Sequence, residues 1–117
     1  MTDYVTKDSG ERVEYETGMR RDADTNKPRF DLMVPDGIPW DDQMLVRFAK
    51  LMQRGMEKYG ERNWEKARTT EELARFKASA FRHFMQWYLG QTDEDHAVAT
   101  WFNIMAAEYV EAKNGDE

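Results

Sequence analysis

The chain contains no cysteine. That absence excludes a disulfide framework, a thiolate zinc site and a cysteine nucleophile, and it suits a reducing compartment. No stretch approaches the roughly 18 consecutive apolar residues of a membrane span. Residues 1–18 lack a basic region followed by an apolar run, so no signal peptide is expected. Proline is scarce, and all three prolines fall between residues 28 and 39, which leaves the remainder free to be helical. There is no Gly-rich phosphate loop and no H-E-x-x-H pair. Positive charge is in deficit, with 17 Lys and Arg against 23 Asp and Glu and a net charge of −6. Nonspecific binding to nucleic-acid phosphates is therefore disfavoured. A small anionic ligand stays compatible, because a metal ion or a local Lys/Arg cluster reverses the field where it sits. These absences predict a cytoplasmic protein with no nucleic-acid or membrane partner.

The 117 residues suffice for one domain, with a thin core. Four Trp, five Tyr and six Phe argue against general disorder. Residues 1–18 are polar and acidic and read as a flexible arm or an edge segment. Residues 19–117 read as a single helical domain. Its first part, 19–40, holds the prolines and a Pro-Asp-Gly turn signal, so "PRFDLMVP" is expected to be an extended apolar strip.

Three helical patterns follow. The first spans about 41–59, with Asp41 or Asp42 as its cap. Leu45, Phe48, Met52, Met56 and Tyr59 recur at steps of three and four, and Gly60 stops the run. The second spans about 70–89. Thr69 and Glu72 form a capping box; Leu73, Phe76, Ala80, Phe84, Trp87 and Tyr88 make a broad apolar face; Gly90 ends it. The third spans about 94–112, capped by Thr92 or Asp93, with Val98, Trp101, Phe102, Met105 and Tyr109 as its stripe. A short fourth helix fits the connector 60–70. The expected fold is all-α, a small bundle of three main helices. Each helix is apolar over more than a narrow seam, so a homodimer or higher homo-oligomer is expected to complete the core.

Several polar residues interrupt these patterns. His83 shares a face with Phe76, Ala80 and Trp87; it is either a satisfied histidine at the core edge or a ligand. Arg82 beside it is either solvated surface or a phosphate-binding cation. Asp93, Glu94, Asp95 and His96 crowd the first turn of the third helix. The macrodipole stabilises carboxylates there by ~0.3–1 kcal/mol each, yet a cap needs only one or two of these four groups. His96, Thr100 and Asn103 form a polar face that a ligand, a metal or a partner helix must satisfy. Antiparallel neighbours would bring His83 and His96 to one cavity, with Glu94 and Asp95 beside them. Oxygen ligands suit Mg²⁺ or Mn²⁺, and an imidazole is compatible with Mn²⁺. In the connector, Trp64 between Asn63 and Glu65 either plugs the core or stacks on a base. Lys58 is a surface cation. Lys27 and Arg29 lie in the proline strip, where Arg29 either holds a phosphate or pairs with Asp31.

Taken in order, "KPRFDLMVP", "GMEKYGERNWEK", "SAFRHFMQWYLG" and "DEDHAVATWFNIMA" resemble a phage family of dATP/dGTP diphosphohydrolases, MazG-like relatives of the all-α nucleotide pyrophosphohydrolases. The resemblance runs from about residue 18 to 110. It implies an oligomeric enzyme that uses Mg²⁺ or Mn²⁺ to cut a deoxynucleoside triphosphate, a purine one in this family, into monophosphate and pyrophosphate. By motif position it carries over Glu65, His83, Glu94, Asp95, His96 and Asn103 as the polar site. Catalysis would fall to Glu65, His83 and Asp95, and metal binding to Glu94, Asp95 and His96. Substrate binding would fall to Lys27, Arg29, Lys58, Asn63, Trp64, Arg82 and Asn103. The sequence departs from the familiar MazG pattern of E-x-x-E on one helix and E-x-x-D on another. The second helix offers Arg82-His83 instead, and the third opens with Glu94-Asp95-His96. The alternative is a non-catalytic relative that binds a nucleotide or a partner protein.

Overall fold

The architecture comes from a computed structural model that describes residues 12–22 and 26–115. The chain divides after Leu32 into two units.

In the N-terminal unit, β1 (Arg12–Glu14) and β2 (Arg20–Asp22) pair antiparallel, with Val13 opposite Arg21. The turn between them uses Gly18 at φ 86°, a left-handed value that a side chain resists, and Gly18 N–H donates to Tyr15 O at 2.8 Å. Part of the expected arm, residues 12–18, is therefore the first half of a hairpin; residues 1–11 lie outside the described residues. The proline strip is not uniformly extended. Phe30–Met33 and Trp40–Asp42 wind into 3-10 turns, closed by hydrogen bonds from Leu32 N–H to Arg29 O and from Asp42 N–H to Pro39 O.

The C-terminal unit is all-α. Its helices are α1 (Met44–Tyr59), α2 (Thr70–Tyr88) and α3 (His96–Gly115), and the connector holds a single 3-10 turn, Asn63–Lys66. Asp41 and Asp42 do not cap α1. They sit in the preceding 3-10 turn, and the boundary residue is Gln43, whose side chain makes no cap bond. Its amide instead donates to Pro35 O at 2.9 Å and Ile38 O at 3.0 Å, fastening the strip to the start of α1. The capping box of α2 forms as the sequence predicts. Thr69 Oγ1 accepts from Glu72 N–H, and Glu72 Oε1 accepts from Thr69 N–H, each at 3.0 Å. Gly90, at φ 79°, closes α2: its N–H donates to Trp87 O and that of Gln91 to Gln86 O, the paired bonds of a Schellman end.

α3 is the central element and packs against both α2 and α1. Val98, Ala106, Ala107 and Val110 are buried along it. The small side chains let neighbouring backbones come close, and each buried valine contributes about 1.5–3 kcal/mol of transfer free energy. Phe48 of α1 stacks on Trp101 at 4.0 Å between ring centroids. Phe76 of α2 meets Phe102 edge-on at 6.3 Å. The expected faces of α1 and α2 are buried only in part. Met56, Tyr59, Phe84, Trp87 and Tyr88 remain exposed. Among the described residues no helix is long and apolar enough to cross a membrane.

Candidate active site

The short link between Gly90 and His96 turns the chain back, so the last turns of α2 face the first turn of α3. His83 and His96 meet there. Both are buried, with 8% and 2% of their surface exposed, so solvent cannot satisfy their ring nitrogens. Their Nδ1 atoms lie 2.9 Å apart. His96 Nε2 is 2.8 Å from Asp93 Oδ1, and His83 Nε2 is 3.3 Å from Arg82 Nη2.

One assignment of protons satisfies all three contacts with neutral rings. The guanidinium can only donate and an ionised carboxylate can only accept. Arg82 therefore donates to His83 Nε2, His83 Nδ1–H donates to His96 Nδ1, and His96 Nε2–H donates to Asp93. Burial, aided by the positive charge of Arg82, pushes the His83 pKa below its usual value, in the direction of a neutral ring; the nearby Glu94 pulls the other way. The hydrogen bond from His96 lowers the Asp93 pKa. A third donor joins the pair: one ligand atom each from His83, Glu94 and His96 all lie within 4.8 Å of one another. Two imidazole nitrogens and a carboxylate oxygen in that space fit a divalent cation.

The family model described as dATP/dGTP diphosphohydrolase, N-terminal, matches residues 16–117. The chain belongs to that family. No curated protein and no solved structure matches it.

In this member of the dATP/dGTP diphosphohydrolase family, the other sequence-predicted residues are distributed. Asp95 stands between Glu94 and His96, yet its carboxylate faces α1. Arg47 Nε donates to Oδ2 at 2.8 Å and Nη2 to Oδ1 at 2.9 Å. That pairing lowers the Asp95 pKa, against the opposing effect of burial. Asp95 Oδ1 also lies 3.4 Å from Val98 N–H, and Asp95 O accepts from Ala99 N–H at 3.1 Å. Asp95 is thus the cap of α3, in place of the expected Thr92 or Asp93. On the polar face of α3, Thr100 and Asn103 are satisfied by the helix itself, whereas His96 bonds to His83 and Asp93. Thr100 Oγ1 donates to His96 O at 2.7 Å, and Asn103, which is buried, donates its amide to Ala99 O at 2.8 Å.

Trp64 is half-buried and packs edge-on against Phe102 and Tyr109, at 5.8 and 5.2 Å. Those rings lie roughly two to four helical turns beyond His96 along α3. Glu65, next to it, accepts from Arg62 Nη1 at 2.8 Å, while Asn63 is exposed. Lys58 sits 5.1 Å from the ring centre of Tyr59. In the N-terminal unit, Tyr15, Arg21, Lys27, Arg29, Phe30 and Asp31 border a polar cleft of about 300 Å³. Arg29 pairs with Asp31 there, Nη2 to Oδ2 at 2.6 Å. Sequence reasoning read Asp93 as a helix cap and missed it as the partner of His96, and it did not single out Arg47 at all. Asp93 could have been found, since it stands three residues before His96. Arg47 carried no signal, because its partner is 48 residues away.

Proposed function

We propose that the chain hydrolyses a deoxynucleoside triphosphate, a purine one by the description of its family, to the monophosphate and pyrophosphate, with Mg²⁺ or Mn²⁺ as cofactor. The observation that carries this reading is the convergence of His83, Glu94 and His96 at the α2–α3 junction of a chain from this family. Those three side chains would hold the cation. When bound, it supplies charge neutralisation for the phosphates and a lowered pKa for water. Asp93 fixes the orientation of the His96 ring. Arg82, exposed beside His83, offers positive charge to the phosphates; Lys58, expected to do the same, stands in the last turn of α1, at the end opposite Arg47. Glu65, expected as the proton acceptor for the attacking water, stands beside Trp64, roughly two to four helical turns from His96 along α3, beyond hydrogen-bond reach of water on this cation. In the N-terminal unit, the cations and rings around the polar cleft suit a charged, planar ligand. A cytoplasmic setting and a homo-oligomeric assembly accompany this reading. The assembly is supported by the exposed Phe81, Phe84, Trp87 and Tyr88.

The test is a nucleotide panel. Each dNTP and NTP is incubated with Mg²⁺, Mn²⁺ or EDTA, and the products are separated by anion exchange. The expected result is a monophosphate and pyrophosphate from dATP or dGTP, abolished by EDTA. A second reading has its own support. The hydrogen-bond chain from Arg82 to Asp93 is complete without any ion, as a purely structural pair of histidines would be. A non-catalytic protein that binds a nucleotide or a partner would show no turnover with either metal.

A further inference from the structure

The α2–α3 junction differs in donor chemistry from a magnesium site. Mg²⁺ takes oxygen ligands and retains several waters, whereas imidazole suits Fe²⁺, Ni²⁺, Cu²⁺ and Zn²⁺ and is compatible with Mn²⁺. Here two of the three donors are imidazoles, and both are buried. Their Nδ1 atoms face each other at 2.9 Å. Two nitrogens on one tetrahedral ion, each at the usual ~2.1 Å, would stand ~3.4 Å apart. A parting of the rings by about half an ångström from their hydrogen-bonded spacing would therefore seat both nitrogens on one cation. Outside them, Asp93 accepts from His96 Nε2–H at 2.8 Å. A carboxylate behind a ligating histidine fixes its tautomer, frees Nδ1 to act as the ligand and raises its basicity.

We propose that His83 Nδ1, His96 Nδ1 and the Glu94 carboxylate form a three-donor centre selective for a nitrogen-favouring first-row transition ion over Mg²⁺, with Asp93 as its positioning residue. This rests on the proposed hydrolytic site and narrows the class of its cofactor. Occupancy has a proton consequence. His83 carries its proton on Nδ1 in the hydrogen-bond chain, so a cation bound there moves that proton to Nε2. Nε2 then cannot accept from Arg82, and the exposed guanidinium is released from the ring. Loading the centre thus makes a positive charge available next to it.

The test uses the full chain and reads binding, not turnover. Zn²⁺, Co²⁺, Mn²⁺ and Mg²⁺ are each titrated calorimetrically into EDTA-stripped protein. Circular dichroism checks folding, and ¹⁵N NMR follows the histidine nitrogens. One equivalent of Zn²⁺ and of Co²⁺ should bind at least 100-fold more tightly than Mg²⁺, with Mn²⁺ between them, and the Nδ1 signals of both histidines should move. Glu94→Gln, at an exposed position, should weaken Zn²⁺ binding at least tenfold while the protein stays folded. Asp93→Asn should weaken it about 10–100-fold. Equal affinity for Mg²⁺ and Zn²⁺, no saturable Zn²⁺ or Co²⁺ binding, or unchanged affinity in folded Glu94→Gln would each overturn the centre. The two proposals fail separately. Tight Zn²⁺ binding without turnover of any nucleotide keeps the centre and removes the hydrolase. Turnover with Mg²⁺ in a protein that does not bind Zn²⁺ or Co²⁺ does the reverse.

Discussion

Arg47 and Asp95 are joined by two parallel hydrogen bonds, of 2.8 and 2.9 Å, that tie the first turn of α1 to the first residue before α3. The planar guanidinium matches the carboxylate edge to edge, a fit that lysine cannot reproduce. Asp95 also caps α3, so one side chain fixes both the start of that helix and its position against α1. His96 follows directly, which makes the clamp a support for the histidine pair. The pair is about one-third exposed on each side, so solvent screens much of its Coulomb energy. The cap is then the larger part of what the aspartate supplies. Asp95→Ala is expected to lower stability by about 1–2 kcal/mol, near the usual cost of a lost cap. Arg47→Lys should cost less. Urea unfolding of the two variants measures both, and a loss below about 0.3 kcal/mol for Asp95→Ala would remove the capping role.

Trp64 plugs the space between the connector and α3. Its two edge-on ring contacts bury an indole that a solvent-facing loop would not retain, and aromatic pairs add about 0.5–1.5 kcal/mol beyond their buried area. Trp64→Ala is expected to destabilise the fold by about 2–4 kcal/mol. Trp64→Phe should recover much of that loss. If Trp64→Ala left the melting temperature unchanged but raised KM for the nucleotide, the indole would belong to the ligand and not to the core.

Local rules were legible in the sequence where the partner is a near neighbour. The Thr69–Glu72 box, the Gly60 and Gly90 stops, the all-α class and the antiparallel turn that brings His83 to His96 all follow from spacing. The caps of α1 and α3 did not. Two adjacent aspartates precede α1, and three acidic residues precede α3; spacing cannot choose among neighbours when the choice depends on a distant Arg47 or on where a proline strip ends. The polar face of His96, Thr100 and Asn103 was legible as a pattern but not in its solution. Two of those groups turn back onto carbonyls four residues earlier, an outcome that needs no partner outside the helix.

Acid should weaken the start of α2 through Glu72. Its pKa lies below its ordinary 4.5 in the fold, chiefly because it accepts from the backbone N–H groups of Arg68 and Thr69. The unfolded chain therefore binds this proton more readily than the folded one. The stabilising contribution is fully present above 4.5 and is lost as pH falls through the lowered folded value. Glu72→Gln removes the ionised acceptor. Its melting temperature should fall below that of the parent at pH 7, and the gap should close as the pH drops through the carboxylate range. A gap that is constant from pH 7 to 3 would mean that the charge of Glu72 plays no part.

Gly90 sets the geometry of the α2–α3 link. Its φ of 79° is left-handed, and a side chain there costs about 1–2 kcal/mol of strain, although no atom crowds the position. Gly90→Ala is expected to lose about that much stability. The strain falls on the link that opposes His83 to His96, so it should also weaken Zn²⁺ binding. Unchanged thermal stability and unchanged Zn²⁺ affinity would show that the link tolerates a different turn.

The outer side of α2 makes the sharpest prediction about assembly. Phe84 and Tyr88 lie one turn apart with their rings 6.4 Å from each other, and Trp87 stands beside Phe84 at 5.8 Å. All three are about half exposed or more. Phe81 widens the patch, and it borders an apolar groove of about 340 Å³ between α2 and α3. A contiguous aromatic surface of this kind is a liability in a soluble monomer and is normally covered. A second copy presents the same patch and can cover it symmetrically. Sedimentation velocity should therefore give a mass at least twice the 13.9 kDa of one chain. Phe84→Glu combined with Tyr88→Glu should return the protein to a monomer with its helical content retained, because neither ring is in the buried core. A parent protein that sediments as a monomer at micromolar concentration would leave that face to a different occupant.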